Sequence, residues 1–239
     1  MTPQELLRLH PFLGALTDVE IRELLKRSVI KRMRAGSVVF RKGDPGDGLY
    51  GVLAGAVLIV AESADGKELI LNTHAARDFF GEVALLDGEG RSATARAREA
   101  SDLVFLGRGE FLAFLGQRPE AMLRIMALLC ARLRRATNLV EDAAFLNVSS
   151  RLAKQVIALV DRGNPRQGAN GSASVRLSQR ELAQMLGVTR EFVGKQLAIW
   201  RDAGIVELGR RHLIVRDERA LEQLVADGRR APRGTGRDR

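Results

Sequence analysis

The chain has 239 residues, 46% of them hydrophobic, enough to bury one large core or two modest ones. Its apolar runs fall short of the roughly 20 residues that a membrane helix needs, and its opening mixes charged with apolar positions, so neither a span nor a signal peptide is expected. The single cysteine, Cys130, excludes an intramolecular disulfide and the multi-thiolate sites of iron-sulfur clusters and zinc knuckles, and it points to a reducing cytoplasm. The net charge of +9 is unevenly shared. Residues 147–239 hold 18 Lys and Arg against 10 Asp and Glu, a net of +8, whereas residues 1–146 hold 20 against 19, a net of +1. A basic half joined to a nearly neutral half suggests one polyanion-binding domain attached to something else.

In chain order, Leu6, Leu7 and Leu13, then Ile21, Leu24 and Leu25 after the helix-start pair Thr17-Asp18, predict short helices. From Val29 the pattern changes to short β-branched runs: 38–40, 49–53, 56–60, 69–71, 92–97 and 103–106. Gly36, Gly43 to Gly46, Gly55, Asp65-Gly66 and Gly88 to Gly90 punctuate them. Regularly interrupted short strands predict an antiparallel roll or barrel. After Pro119, Met122, Met126, Leu129, Leu133, Ala136, Val140 and Ala143 follow at alternating spacings of four and three, a heptad seam on a long helix. The seam predicts a homodimer through Met122, Met126, Leu129, Leu133, Ala136 and Val140; the alternative is a stripe packed on its own domain.

A second helix over 152–160 precedes a Gly, Asn and Pro-rich loop at 163–171. Ser178-Gln179-Arg180-Glu181 has the form of a capping box, opening a helix that stops at Gly187. Thr189 is placed to cap the next helix, which runs from Arg190 to about Ala203. A helix, a tight Gly-containing turn and a second helix read as a helix-turn-helix, whose second helix enters the DNA major groove by its N-terminal end. Ser178, Gln179, Thr189, Arg190, Glu191 and Lys195 are its candidate DNA-contacting residues. Arg can fork onto guanine, Glu can accept from cytosine, and Lys can reach guanine or phosphate. A hairpin over 205–215 turns at Gly209-Arg210-Arg211, a basic wing whose Arg210 and Arg211 suit phosphate contact. The expected architecture is α+β: a β-roll domain over 1–118, a dimerisation helix and hinge over 119–146, a winged helix-turn-helix over 147–226, and a basic tail over 227–239. That tail is either solvated or a DNA-touching arm.

Four motifs together resemble the cyclic-AMP receptor protein and fumarate-nitrate regulator superfamily. They are Gly43-Asp44-Pro45-Gly46-Asp47-Gly48-Leu49-Tyr50, Gly81-Glu82-Val83-Ala84-Leu85, Arg91-Ser92-Ala93-Thr94-Ala95 and Thr189-Arg190-Glu191-Phe192-Val193-Gly194-Lys195. The resemblance implies a cyclic-nucleotide site made by Gly81, Glu82, Val83, Ala84, Arg91, Ser92 and Ala93. In it Glu82 accepts from a ribose hydroxyl, and Arg91 with Ser92 and the Ala93 amide holds the cyclic phosphate. From the residues alone, Glu82 and Arg91 could equally be a structural ion pair. Relatives similar to the cyclic-AMP receptor protein carry two adjacent hydroxyl residues on the dimer helix; Ala136 and Thr137 stand there, so only Thr137 can bond the base. Cyclic AMP is the first ligand implied and cyclic GMP the second, with no metal. DNA with an inverted-repeat operator and RNA polymerase are the implied partners.

Two other readings remain. One is a regulator of the same family that is independent of ligand, or that answers to another metabolite. The other is an enzyme, for which the sequence offers no His cluster, no Cys-His pairing, no nucleophile elbow and no P-loop. Haem ligation by the scattered His10, His74 and His212 has no supporting motif.

Overall fold

The computed structural model describes residues 1–9, 13, 16–116, 118–162, 173–209 and 212–230. The chain divides into two compact units, Met1–Arg132 and Leu133–Arg239. The first opens with helices α1 (Pro3–Leu9) and α2 (Asp18–Leu25). The Thr17 hydroxyl caps α2 in a capping box with Glu20, which satisfies amides that a helix start leaves unpaired.

Eight strands follow: β1 (Val29–Met33), β2 (Val38–Phe40), β3 (Gly48–Ala54), β4 (Ala56–Glu62), β5 (Glu68–Ala75), β6 (Phe79–Phe80), β7 (Thr94–Ala97) and β8 (Ser101–Gly107). They form two antiparallel four-stranded sheets, ordered β1-β8-β3-β6 and β2-β7-β4-β5. This is the roll that the punctuated strand pattern predicts. A bidentate pair from Arg96 on β7 to Glu68 on β5, at 2.6 and 2.8 Å, spans the intervening strand β4. Its hydrogen bonds hold the Arg96 guanidinium above its ordinary pKa, against the opposing effect of burial.

The strand expected over 92–97 begins only at Thr94, because the backbone bends at Ser92 and Ala93 before it. Helices α3 (Glu82–Asp87) and α4 (Arg108–Gly116) interrupt and follow the strands. Leu6, Leu7, Ile21, Leu49, Leu85, Phe111 and Ile125 meet in the larger core of this unit. Helix α5 (Pro119–Phe145) is the long helix predicted from the heptad pattern.

The second unit contains α6 (Val148–Arg162), β9 (Ala173–Val175), α7 (Gln179–Leu186), α8 (Arg190–Asp202), β10 (Val206–Gly209), β11 (His212–Val215) and α9 (Glu218–Arg230). Its antiparallel sheet has the order β10-β11-β9. Trp200, Leu152, Val156, Leu182, Val193, Leu197 and Leu221 form one buried cluster, so Trp200 is a packing residue. Helix α9 was not among the expected elements, and it runs to Arg230, past the expected start of the tail at 227. The loop at 163–171, His10, Arg210, Arg211 and residues 231–239 lie outside the described residues. Among the described residues, no helix is long and apolar enough to cross a membrane.

Arg77, in the turn between β5 and β6, is the one described non-glycine residue with positive φ, at 86°. Left-handed backbone costs an L-residue about 1–2 kcal/mol. Arg77→Gly is expected to raise stability by about 0.5–1 kcal/mol, after allowing for the extra freedom glycine gives the unfolded chain. Urea unfolding measures this, and a midpoint no higher than that of the wild type contradicts it.

Candidate ligand cavity and nucleic-acid surface

Gly81 stands between β6 and α3 in left-handed backbone, with φ 88° and ψ 8°. A Cβ there would lie 2.6 Å from Arg91 Nη1, so conformation and space both require glycine. The reason is the path of Arg91, whose Nη1 donates to the Gly81 carbonyl at 2.9 Å. Its Nη2 donates to the Gly48 carbonyl at 2.9 Å and to Asp47 Oδ1 at 2.6 Å. The Arg91 amide donates to the Asp44 carbonyl, and the Gly43 amide donates to the Arg91 carbonyl, each at 2.8 Å. The guanidinium also lies 4.3 Å above the Phe40 ring centroid, within cation-π range. Two of the motifs, 43–50 and 91–95, are thus bound to each other through Arg91, which is only 2% exposed.

Glu82 does not pair with Arg91. It is 4% exposed, and its Oε1 accepts from Arg132 Nη1, while Arg132 Nη2 donates to the Phe79 carbonyl at 3.2 Å. Arg132 belongs to α5, on the flank of the heptad stripe. Its place every few residues beside a stripe carried no hint of a carboxylate 50 positions earlier.

A cavity of about 60 Å³ lies among these groups. Gly81, Glu82, Val83, Ala84, Arg91, Ser92 and Ala93 all line it, so seven of the eight expected ligand-binding residues come together in the first unit. Phe40, Ile59, His74, Phe80 and Arg132 complete the lining and were not expected there. Two atoms of lining residues, Arg91 Nε and Glu82 Oε2, are buried without a hydrogen-bond partner. Leaving a buried polar group unpaired costs about 1–3 kcal/mol, and more for a charged one. A donor and an acceptor orphaned in one cavity wall suit a ligand with both an anionic group and a hydroxyl. The eighth residue, Thr137, is exposed on α5 in the second unit, where its hydroxyl donates to the Leu133 carbonyl at 3.1 Å.

The helix-turn-helix forms as local chemistry requires. Ser178 Oγ accepts from the Glu181 amide at 3.2 Å, and Glu181 Oε2 accepts from the Ser178 amide at 2.8 Å. Gly187 ends α7 in left-handed backbone with φ 66°, and Thr189 Oγ1 accepts from the Phe192 amide at 3.2 Å to start α8. The Ser178 and Thr189 hydroxyls therefore cap helices. Val193 and Leu197 are buried on the inner side of α8, whereas Arg190, Glu191 and Lys195 are exposed. Gln179 is half-buried against Gly194, whose missing side chain leaves room for its amide.

On α5, Met122, Met126, Leu133 and Val140 are 38–69% exposed. Ala136 is exposed as well, and Leu129 packs partly on the first core. Apart from Leu129, the seam is therefore left exposed among the described residues.

Comparison with known proteins agrees with these two halves. Residues 30–118 match the cyclic nucleotide-binding domain, and residues 150–224 match the Crp-like helix-turn-helix domain. The chain is 32% identical to the CRP-like cAMP-activated global transcriptional regulator of Mycobacterium tuberculosis, over 78% of this chain and 83% of that one. It is 26% identical to the cAMP-activated global transcriptional regulator CRP of Escherichia coli, over 83% and 95% of the respective chains. The structure of the c-di-GMP responsive global regulator CLP of Xanthomonas campestris superposes with a TM-score of 0.73 at 26% identity, covering 83% of this chain and 99% of that one. The chain belongs to the CRP/FNR family of transcription regulators, with a cyclic nucleotide-binding domain and a Crp-like helix-turn-helix.

Gly81→Ala is expected to destabilise the first unit by about 1–3 kcal/mol, because it combines a strained φ with displacement of the buried guanidinium. Urea unfolding monitored by circular dichroism checks this; a loss below about 0.5 kcal/mol would mean that the Arg91 contacts re-form without cost.

Proposed function

We propose that this protein is a dimeric, sequence-specific regulator whose affinity for DNA is set by a cyclic nucleotide, cyclic AMP first and cyclic GMP second, held in the cavity of the first unit. The observation that carries the reading is the pair of orphaned buried atoms, Arg91 Nε and Glu82 Oε2, in the wall of one cavity. The cyclic phosphate takes the donor, with help from Ser92 and the Ala93 amide, and the ribose hydroxyl takes the acceptor. The names of the Mycobacterium tuberculosis and Escherichia coli relatives, both cAMP-activated, support the same ligand. Thr137 serves the base from the partner protomer, and the loss of the neighbouring hydroxyl at Ala136 weakens the preference among bases.

A cavity of 60 Å³ is smaller than the roughly 300 Å³ at which ligand pockets begin, so the lining opens to admit a nucleotide, and Arg132, held on Glu82, is the side chain we take to move. Arg132 is on α5, the helix that also carries the exposed seam. Competition for Glu82 therefore acts directly on the dimer helix, which is a physical route for coupling. The seam of Met122, Met126, Leu133 and Val140 forms the homodimer, since an exposed apolar row of this length on one helix calls for a partner. The dimer presents two copies of α8 to an inverted repeat with half-sites about 34–36 Å apart. Arg190, Glu191 and Lys195 face the base edges, and Arg210 and Arg211 contact phosphates. RNA polymerase is the further partner, in the cytoplasm where the DNA lies.

Titration calorimetry with cyclic AMP tests the ligand. Arg91 also binds the roll together, so Arg91→Lys is the informative variant: it keeps the charge and loses the fork. It is expected to weaken binding about 10- to 100-fold, the equivalent of one lost charged hydrogen bond. No heat from cyclic AMP or cyclic GMP with folded wild type would leave a ligand-independent regulator.

Operator affinity with and without saturating nucleotide tests the coupling, which is expected to be about 5- to 150-fold. Equal affinities would make the roll a passive scaffold. For the DNA, Arg190→Ala is expected to cost about 1–3 kcal/mol and to relax the preference at one base pair per half-site. Selection from random DNA reads this out, and unchanged specificity in the variant would show that α8 is not the reader.

A further inference from the structure

We infer that His74 is a specificity residue, a fixed aromatic platform on which the purine of the bound nucleotide stacks. The inference rests on the cyclic-nucleotide reading of the cavity and adds a base-selecting group to it. His74 lies on β5, is 6% exposed and lines the cavity, far in sequence from the motifs that supply the phosphate and ribose groups.

With the polar lining assigned to the phosphate and ribose, the base is left with the ring-bearing wall. Phe40 already carries the Arg91 guanidinium over its ring. Phe80 is stacked on Tyr50, with centroids 5.3 Å apart and planes inclined by 13°. It is also stacked on His74, at 5.5 Å and 23°. His74 is thus the outermost of three stacked rings, and a purine would add a fourth.

The imidazole is held through Nε2, and its Nδ1 is turned towards a carboxylate. Nε2 lies 3.2 Å from Asn72 Nδ2, and Nδ1 lies 3.8 Å from Asp78 Oδ2. Asp78 is itself fixed by the Ala75 amide, which donates to the same Oδ2 at 2.9 Å. With Nε2 engaged by Asn72 and Nδ1 on the Asp78 side, what His74 offers the cavity is its ring surface. A platform of this kind discriminates by ring area: it favours purines over pyrimidines and distinguishes adenine from guanine only weakly. Stacking of a base on an aromatic side chain is worth about tenfold in affinity.

The test is calorimetric titration of the full-length protein and its His74→Leu, His74→Phe and His74→Gln variants with cyclic AMP, cyclic GMP and cyclic CMP. Wild type is expected to bind both purine nucleotides about tenfold or more tightly than cyclic CMP. His74→Leu is expected to lose about tenfold for the purines and threefold or less for cyclic CMP. His74→Phe, which keeps an aromatic face, should restore purine binding where His74→Gln does not. Unchanged purine affinity in His74→Leu overturns the platform, as does an equal loss for purines and pyrimidine, which would mark a structural role. Rescue by Gln and not by Phe would replace stacking with hydrogen bonding and overturns it equally. The Phe variant keeps the test decisive if Leu disrupts folding. A folded wild type that binds none of the three nucleotides overturns the cyclic-nucleotide reading, and this inference with it, an outcome separate from those seen in the variants.

Discussion

The guanidinium of Arg91 is the point on which the first unit turns. It is almost fully buried, and it ties its own segment to two others: the 47–48 turn, through the Asp47 carboxylate and the Gly48 carbonyl, and the start of α3, through the Gly81 carbonyl. A buried charge survives only when its donors are met, and here backbone carbonyls meet them along with a single carboxylate. Gly81 is glycine because the guanidinium passes where a side chain would stand. The 43–48 turn is closed against Arg91 by backbone bonds in both directions. The same residue therefore lines the cavity and keeps one buried donor, Nε, without a partner. The proposed phosphate contact would be a second use of the same planar fork.

Glu82 shows the complementary logic. Its carboxylate is buried with one oxygen committed to Arg132 and the other without a partner. The committed oxygen ties α3 to α5, and the other is the acceptor that the proposed ribose hydroxyl would meet. Because the tie runs to α5, occupancy of the cavity and the state of that helix share a contact, so a ligand with differential affinity for the two states has something to act on. Coupling of this kind needs no longer pathway than one side chain.

The DNA-reading unit depends on local rules. Two N-caps, one left-handed glycine and a buried face of Val193, Leu197 and Trp200 set α7 against α8. They leave Arg190, Glu191 and Lys195 on the outside by helical periodicity alone.

This contrast separates what the sequence by itself determined from what tertiary structure decided. The helix start at Thr17, the capping box at Ser178 and the turn at Gly187 were legible because their partners lie within a few residues, where hydrogen-bonding geometry is dictated by the backbone. The heptad spacing on α5 and the alternation of strand and turn were legible for the same reason, and seven of the residues that the motifs single out line one cavity. Helix α9 escaped notice although Leu221, Leu224 and Val225 are spaced for one face, because the basic composition just beyond it reads as unstructured. Arg132 and His74 could not be placed at all. Each joins the cavity through contacts set by sheet register or by how a helix passes over a roll: Arg132 meets Glu82 across 50 residues, and His74 meets Phe80 only because β5 and β6 fold back. Local pattern carries the identity of the polar anchors, whereas the ring-bearing wall and the arginine latch exist only once distant segments pack, since burial and stacking belong to pairs of residues and not to positions in a chain.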